Sequence, residues 1–198
     1  VSLTRDTLQN LTAINDSTGR QLLVTVDANN RITALTDPLG RTVRYTYDTN
    51  GHLLTVTDPA GGITRYTYDT NHRLLTITDP RSTTYLTNEY DATGRVSRQT
   101  HSDGGVWTFA YTLTGSVVTQ TVITDPRGYA TATRFNSQTY VLSTTNALRQ
   151  TTTATRDPAA NQVLATTDPL GRITRYTYDS AGNRLTTTDP LGNVTTLT

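Results

Sequence analysis

The chain has 198 residues with 17 Arg, no Lys, no Cys and a formal net charge of +1. Because the charges nearly cancel and the arginines are spread along the chain, no basic stripe for binding nucleic acid emerges. No apolar run approaches the roughly 20 residues of a membrane span, and the absence of cysteine excludes a disulfide framework.

Reading from the N-terminus, a pattern of two turns and two strands is first complete in residues 36–59, TDPLGRTVRYTYDTNGHLLTVTDP. Asp37-Pro38-Leu39-Gly40 predicts a type I β-turn, with Asp at the first position, Pro fixing φ and Gly at the last. Residues 48–51 form a second D-x-x-G turn without proline. The intervening residues 42–47 and 52–57 alternate as strands do. The unit is therefore a β-hairpin whose end begins the next hairpin.

The pattern recurs at steps of about 21 residues, which is the signature of a repeat architecture. The second turns begin at positions 6, 27, 48, 69, 91, 112, 136, 157 and 179, and the first turns at 16, 37, 58, 79, 103, 125, 146, 168 and 189. Nine copies therefore tile residues 1–198 as a single array. The missing initiator Met, and a terminus inside a copy, predict an excerpt of a longer chain.

The pattern loosens in residues 81–143. Thr112 and Asn136 replace the aspartate of the second turn, and Asn146 replaces that of the first. The single tryptophan, Trp107, lies here in a V-W-T-F-A-Y alternation. Two interpretations stay open for it: a large anchor that fills a local gap, or a contact site for a ligand.

Short turns between consecutive strands require antiparallel neighbours, so the fold class is all-β with sequential hairpins. Nine hairpins supply about eighteen strands, and twisted sheets rarely pass about ten strands without curling or splitting. We therefore expect a long curled or spiralling strip. Its unpaired end strands predict self-association through the sheet edges.

Tyrosine pairs are the most informative side chains, since the alternation places them on one face of the sheet. The candidate glycan or cargo contacts are Tyr45, Tyr47, Tyr66, Tyr68, Trp107, Tyr176 and Tyr178. On the tyrosine face we also expect Leu54, Leu75 and Leu185, and on the opposite face Arg44, Arg65 and Arg175, which could bind acidic glycans. Cross-strand packing is the favoured interpretation of the tyrosines, because Val24 and Val26 replace both of them in one copy.

Nothing in the sequence indicates catalysis, a cofactor or a metal site. Nearly all 15 aspartates lie in the turns, where hydrogen bonding to backbone explains them, and equivalent turns are two strands, about 9–10 Å, apart. His52 and His72 fall in neighbouring second turns and are expected to face solvent. No G-x-S-x-G elbow is present, so we predict that the chain is not an enzyme.

The motif Y-D-x-x-G-x-L followed by D-P-x-G resembles the YD-repeat, or RHS-repeat, family. The matching residues are Tyr47-Asp48, Gly51, Leu53 and Asp58-Pro59; Tyr68-Asp69 and Asp79-Pro80; Tyr90-Asp91, Gly94 and Val96; and Tyr178-Asp179, Gly182 and Asp189-Pro190-Leu191-Gly192. Family members include bacterial polymorphic toxins, cocoon-forming components of insecticidal toxin complexes, wall-associated proteins and teneurins. The resemblance implies a β-strip that spirals into a hollow shell, often around a toxic C-terminal domain. It implies no protease activity here, because the self-cleaving segment that follows the family's repeats is not in this sequence.

Two functions follow as expectations. The first is a structural scaffold that encapsulates a toxin or another polypeptide cargo, and the alternative is a surface adhesin or fibre that binds carbohydrate. The expected partners are flanking domains or cargo, with glycans in the alternative, and neither nucleic acid nor a membrane span. We expect a secreted or cell-surface location, with a bacterial secretion system as one export route.

Overall fold

The computed structural model describes residues 1–197, which form strands and turns and contain no helix. They divide into two compact units, Val1–Gly105 and a second unit that begins at Val106. The strands of the first unit are β1 (Ser2–Arg5), β2 (Leu11–Asn15), β3 (Gln21–Val26), β4 (Ile32–Thr36), β5 (Thr42–Tyr47), β6 (Leu53–Thr57), β7 (Ile63–Tyr68), β8 (Leu74–Thr78), β9 (Thr84–Tyr90) and β10 (Val96–His101). Those of the second are β11 (Val106–Thr114), β12 (Val117–Thr124), β13 (Ala130–Phe135), β14 (Val141–Thr145), β15 (Thr151–Arg156), β16 (Val163–Thr167), β17 (Ile173–Tyr178), β18 (Arg184–Thr188) and β19 (Val194–Thr196).

Within each unit, every strand pairs antiparallel with the strand that follows it. The first unit runs in order from β1 to β10, and the second from β11 to β19. Each unit is therefore a meander built only from hairpins. The all-β class and the sequential antiparallel hairpins predicted from the sequence are confirmed.

Most of the hairpins close through one kind of turn, which the aspartate at its first position organises. In the turn at Asp37, the Gly40 N–H donates to the Asp37 carbonyl at 2.9 Å, and the Asp37 N–H donates to the Arg41 carbonyl at 3.0 Å. Gly40 has a φ of 80°. This is a type I turn followed by a left-handed residue, a common hairpin connection. The Asp37 Oδ1 accepts the N–H groups of Leu39 and Arg41, both at 2.9 Å.

A bulge follows the second turn of each repeat. In the hairpin of β5 and β6, Tyr47 pairs with Leu53 and Thr46 pairs with Thr55, which leaves Leu54 without an opposite residue. The residues left over in the corresponding hairpins are Thr12, Thr33, Leu75, Ser97, Thr119, Leu142, Leu164 and Leu185. Bulges bend a strand and increase its twist. The strict alternation predicted for residues 52–57 is therefore interrupted at Leu54.

Two turn positions assigned from the sequence are wrong. Asp103 was expected to begin a first turn, but the backbone turn begins at His101, with the Gly104 N–H donating to its carbonyl at 3.0 Å. Gly104 supplies the left-handed residue, with a φ of 79°. Because this residue is the fourth of the turn, the position of the glycine determines that the turn begins at His101. Asp103 lies two residues into the turn and accepts the Gly105 N–H instead.

The second correction concerns Thr112, which was expected to begin a second turn. It lies inside β11 and pairs with Gln120. The strands close around the two residues Gly115 and Ser116, and Gly115 has a φ of 60°. Threonine lacks the carboxylate or amide oxygen that bonds the longer turn, so the chain uses a two-residue hairpin with Gly at its first position. Asn136 does replace aspartate as predicted, since its Oδ1 accepts two backbone N–H groups at 3.0 Å.

The sheets have almost no conventional core. Among the described residues the only buried apolar side chains are those of Ala13, Val24 and Ala34, and no large side chain is fully buried. Most strand residues are half-buried by their neighbours in the same sheet. Stability must therefore come chiefly from backbone ladders and from contacts between adjacent strands.

Candidate functional site

The first tyrosine of each complete pair packs against the neighbouring strand. Tyr45 lies opposite Val56 and Tyr66 lies opposite Ile77, and both rings are half-buried. Burial raises the pKa of Tyr66, and the nearby hydroxyls of Tyr85 and Tyr45 raise it further. The three tyrosines belong to β5, β7 and β9, which are alternate strands of the meander.

The second tyrosine has a different role, because its hydroxyl bonds to the backbone of the preceding repeat. The Tyr47 hydroxyl donates to the Ile32 carbonyl at 2.7 Å, and the Tyr68 hydroxyl donates to the Leu53 carbonyl at 3.0 Å. Tyr90 and Tyr178 make the same bond, at 2.6 and 2.9 Å. Each acceptor is the residue just before the bulged one, so each tyrosine hydroxyl satisfies a carbonyl at the point where the ladder is disrupted.

The ring of this second tyrosine is covered by a side chain from the preceding repeat. The Arg31 guanidinium lies 4.7 Å from the centroid of Tyr47, and Arg73 lies 4.5 Å from that of Tyr90. His52 stacks on Tyr68 at 4.6 Å with planes 20° apart. These are the distances of cation–π and stacking contacts.

Each covering residue is in turn held by the aspartate of its own turn. Arg31 pairs with Asp27 at 2.7 Å and His52 pairs with Asp48 at 2.7 Å. The pKa values of both carboxyl groups are lowered, for Asp27 mainly by bonds from Arg31 and for Asp48 mainly by the bond from His52. We call this assembly the tyrosine latch: turn aspartate, covering residue, tyrosine of the next repeat and bulge carbonyl.

The second unit contains a latch with its residues exchanged. Tyr140 occupies the covering position, and Arg156 occupies the position of the latch tyrosine. The Arg156 guanidinium lies 5.3 Å from the centroid of Tyr140, and its Nε donates to the Val141 carbonyl at 2.8 Å. Val141 precedes the bulged Leu142, so the acceptor is the equivalent carbonyl. The contact persists although neither position keeps its usual residue.

The opposite face of the sheet is lined by threonine and arginine. Threonine hydroxyls pair across strands at 2.6–2.7 Å, in the pairs Thr46–Thr55, Thr67–Thr76 and Thr177–Thr186. Arg44, Arg65 and Arg175 are exposed here, opposite Thr57, Thr78 and Thr188 respectively. The two faces of each sheet therefore differ in chemistry, as the alternation predicted.

The remaining predicted site residues lie in the second unit. Tyr176 is half-buried in β17, where its hydroxyl lies 3.3 Å from the Thr166 hydroxyl and Arg184 lies 5.6 Å from its ring centroid. Trp107 is half-buried near the start of β11. The fold places Tyr45 and Tyr47 on β5 and Tyr66 and Tyr68 on β7, which flank β6. Trp107 lies on β11, well separated in strand order from β17, which carries Tyr176 and Tyr178.

His52 does not face solvent as predicted. Its side chain is only 15% exposed between Asp48 and Tyr68, and its Nε2 lies 2.7 Å from Nδ1 of His72. His72 itself is exposed. The covering residues of the latches were missed from the sequence, although a signal was available: Arg31 precedes Tyr47, and His52 precedes Tyr68, by the same 16 residues.

The turn carboxylates are occupied by protein groups. No cluster of three or more His, Asp or Glu residues suited to hold a metal ion was found in residues 1–197. The described part of the chain also has no helix that is long and apolar enough to cross a membrane.

Comparison with known sequences gave one family. The RHS Repeat family model matches residues 26–63, 47–84 and 156–194, which include the complete latches at Tyr47 and Tyr68 and the bond from the Tyr178 hydroxyl to the Val163 carbonyl. No curated protein matched the chain.

Several solved structures resemble the fold. A chain of the TcdB2-TccC3 crystal structure superposes with a TM-score of 0.62 at 17% identity, over 98% of this chain and 12% of that one. The Tc holotoxin pore of Photorhabdus luminescens gives 0.61 at 20% identity, over 89% and 11%. The complex of TcdB2-TccC3 with Cdc42 gives 0.59 at 15% identity, over 92% and 12%. At these identities the likeness concerns the fold, and this chain spans about one-eighth of the length of those chains.

Proposed function

The chain belongs to the RHS-repeat family and is a structural scaffold, and from this premise we propose that its nine repeats form one array in the wall of a shell around a polypeptide cargo. The observation that carries the proposal is the single-layer sheet with two chemically different faces. A sheet without a buried core gains from having each face in its own surroundings. A wall between a lumen and the solvent provides that difference.

The latches support a wall rather than a binding module. A sugar-binding platform needs open aromatic faces, but the rings of Tyr47 and Tyr68 are covered by Arg31 and His52, and their hydroxyls are used by bulge carbonyls. Contact with cargo or glycan through the half-buried Tyr45 and Tyr66 stays a prediction. The proposed role is non-enzymatic, and it goes with a secreted or cell-surface location.

The bulges also suit a wall. One bulge follows the second turn of each repeat on the same side of the meander, so its bend is added at every step. A strip that bends in the same sense at every repeat curls continuously, which is the geometry that an enclosing shell needs. One further bulge, at Tyr85 in β9, follows a first turn. This argument applies to each unit and does not depend on any single residue.

Cysteine labelling tests the proposal, because the chain has no cysteine of its own. Val56→Cys places a thiol on the tyrosine face and Thr57→Cys places one on the threonine face, next to each other in β6. In the parent protein with its cargo, we expect a bulky maleimide to label only one of the two. Equal labelling of both at the rate seen in urea would contradict enclosure.

Self-association through sheet edges stays a second prediction. The first strand is exposed along its whole length, so the isolated 198-residue chain should form larger species as its concentration rises. Sedimentation velocity over a hundredfold concentration range measures this. A monomer throughout that range would contradict the prediction.

A further inference from the structure

Two histidines from successive second turns meet at one edge of the first unit. Nδ1 of His72 lies 2.7 Å from Nε2 of His52, with ring centroids 4.8 Å apart. His52 follows the second turn of one repeat, residues 48–51. His72 occupies the left-handed position of the second turn of the next repeat, residues 69–72, with a φ of 65°. The structural role that His52 plays in the latch does not require this contact, because Arg31 fills the same role without a second base.

The hydrogen bonds around His52 fix the position of its proton. Nδ1 of His52 lies 2.7 Å from Oδ2 of Asp48, and the other oxygen of that carboxylate accepts the N–H groups of Asn50 and His52 at 2.9 and 2.8 Å. An ionised carboxylate only accepts, so Nδ1 must carry the proton and Nε2 must present its lone pair in the neutral ring. The stacked ring of Tyr68 holds the imidazole plane. A histidine oriented by a carboxylate in this way is the usual arrangement around a bound metal ion.

We propose that His52 Nε2 and His72 Nδ1 together bind one divalent late transition-metal ion, with water completing the coordination. Two imidazole nitrogens suit Cu²⁺ and Zn²⁺, and the general affinity order favours Cu²⁺. Ligand nitrogens at about 2.0–2.1 Å are about 3.4 Å apart around a tetrahedral ion and about 2.9 Å apart at neighbouring corners of a square-planar one, so the present gap must widen by about 0.2–0.7 Å. His72 is exposed, and rotation of its ring provides that movement.

Binding needs only a change of tautomer at His72. Its proton moves from Nδ1 to the solvent-facing Nε2, which frees the Nδ1 lone pair for the metal ion. The other polar groups nearby are already engaged: Asp69 pairs with Arg73 at 2.7 Å, and the Tyr68 hydroxyl donates to Leu53. The chain therefore supplies two ligands, which predicts an exchangeable site rather than a closed structural one.

The test uses CuCl2 with the 198-residue chain, followed by calorimetry and electron paramagnetic resonance. The chain offers its own matched variants. His52→Arg copies the residue that covers the latch tyrosine at Arg31 and Arg73, and His72→Gly copies the glycine at the left-handed turn position of Gly51 and Gly94. We expect one site per chain with two nitrogen ligands, at least tenfold weaker in each variant, and unchanged in His101→Ala.

A second variant tests the orienting role of Asp48. Asp48→Asn should keep the turn, because Asn136 and Asn146 make the same backbone bonds elsewhere. The amide would donate to His52 Nδ1, move the ring proton to Nε2 and remove the lone pair that faces the metal. We expect Cu²⁺ affinity to fall by about 10–100-fold with an unchanged circular dichroism spectrum.

The proposal is overturned if folded His52→Arg or His72→Gly binds Cu²⁺ within threefold of the unaltered chain. It is equally overturned if the unaltered chain shows no saturable binding up to millimolar CuCl2. A single nitrogen ligand in the electron paramagnetic resonance spectrum would also overturn it. An affinity of Asp48→Asn within threefold of the unaltered chain would refute the orienting role given to the carboxylate.

Discussion

The latch at Tyr68 in the first unit and the latch at Arg156 in the second solve one problem with opposite residues. In the first, His52 covers a tyrosine whose hydroxyl donates to a bulge carbonyl. In the second, Tyr140 covers an arginine whose Nε donates to the equivalent carbonyl. Both positions differ, yet the stack and the carbonyl bond persist. What the repeat requires is a stacked pair of unlike planar side chains, an aromatic ring with an arginine or a histidine, in which the member from the later repeat donates to the bulge carbonyl.

This comparison separates the two tyrosines of each complete repeat. Tyr66 contributes a half-buried ring opposite Ile77, a role that Val24 fills in another copy. Tyr68 contributes a planar group and a donor, and a residue that has both properties, such as arginine, can replace it while keeping the bond. The repeat motif therefore contains one packing tyrosine and one latch tyrosine.

The largest expected effect comes from removing a latch tyrosine altogether. Tyr68→Ala deletes the stack on His52 and leaves the Leu53 carbonyl without its donor, so we expect a loss of about 2–3 kcal/mol in the free energy of unfolding. Urea denaturation measures it. Tyr129→Ala is the control, since Tyr129 is 53% exposed. An equal loss of unfolding free energy in the two variants would mean that the latch contacts of Tyr68 do not stabilise the fold.

A smaller change sharpens the contrast between the two tyrosines. Tyr68→Phe keeps the ring and removes the donor to Leu53, so we expect a cost of about 1 kcal/mol. Tyr66→Phe loses no such bond and should change stability by less than about 0.5 kcal/mol. Parallel urea melts of the two variants decide the matter. Equal urea midpoints for the two variants would contradict the different roles given to Tyr66 and Tyr68.

The smallest effect per residue concerns the turn aspartates in acid. Bonds from Thr18 and Arg20 lower the pKa of Asp16 to about 2, below its value in the unfolded chain of about 3.9. The unfolded chain therefore binds the proton first, so this contribution is complete above about pH 4 and is lost as the pH falls through about 2. The melting temperature should drop over that interval, and Asp16→Asn should weaken the dependence. A flat profile in the unaltered chain contradicts the assignment.

Much of the fold could be predicted because its determinants are local. Asp37, Pro38 and Gly40 specify a turn by their own backbone preferences and bonds, and the alternation from Thr42 to Tyr47 specifies a strand. The two errors arose where local signals competed. Near Asp103, the position of Gly104 and not that of the aspartate determined where the turn begins. At Thr112, the strand continued to a glycine three residues further on.

The latches and the histidine pair could not be derived in the same way. They depend on the bulge at Leu54, which shifts the register by one residue, and on contacts between residues of different repeats. Residue chemistry alone gave Tyr47 and Tyr68 the same role as Tyr45 and Tyr66. Only the strand register shows that the carbonyl before each bulge lies within hydrogen-bonding distance of one tyrosine hydroxyl of each pair.

A double-mutant cycle at Tyr140 and Arg156 tests the central claim most directly. Tyr140→Arg and Arg156→Tyr each place two like residues in the latch, so each alone should cost about 1 kcal/mol in urea unfolding. The double variant recreates the order seen at Arg31 and Tyr47, and we expect it to recover most of that loss, with a coupling energy of about 1 kcal/mol. Additive losses, with the double variant less stable than either single one, would contradict the account.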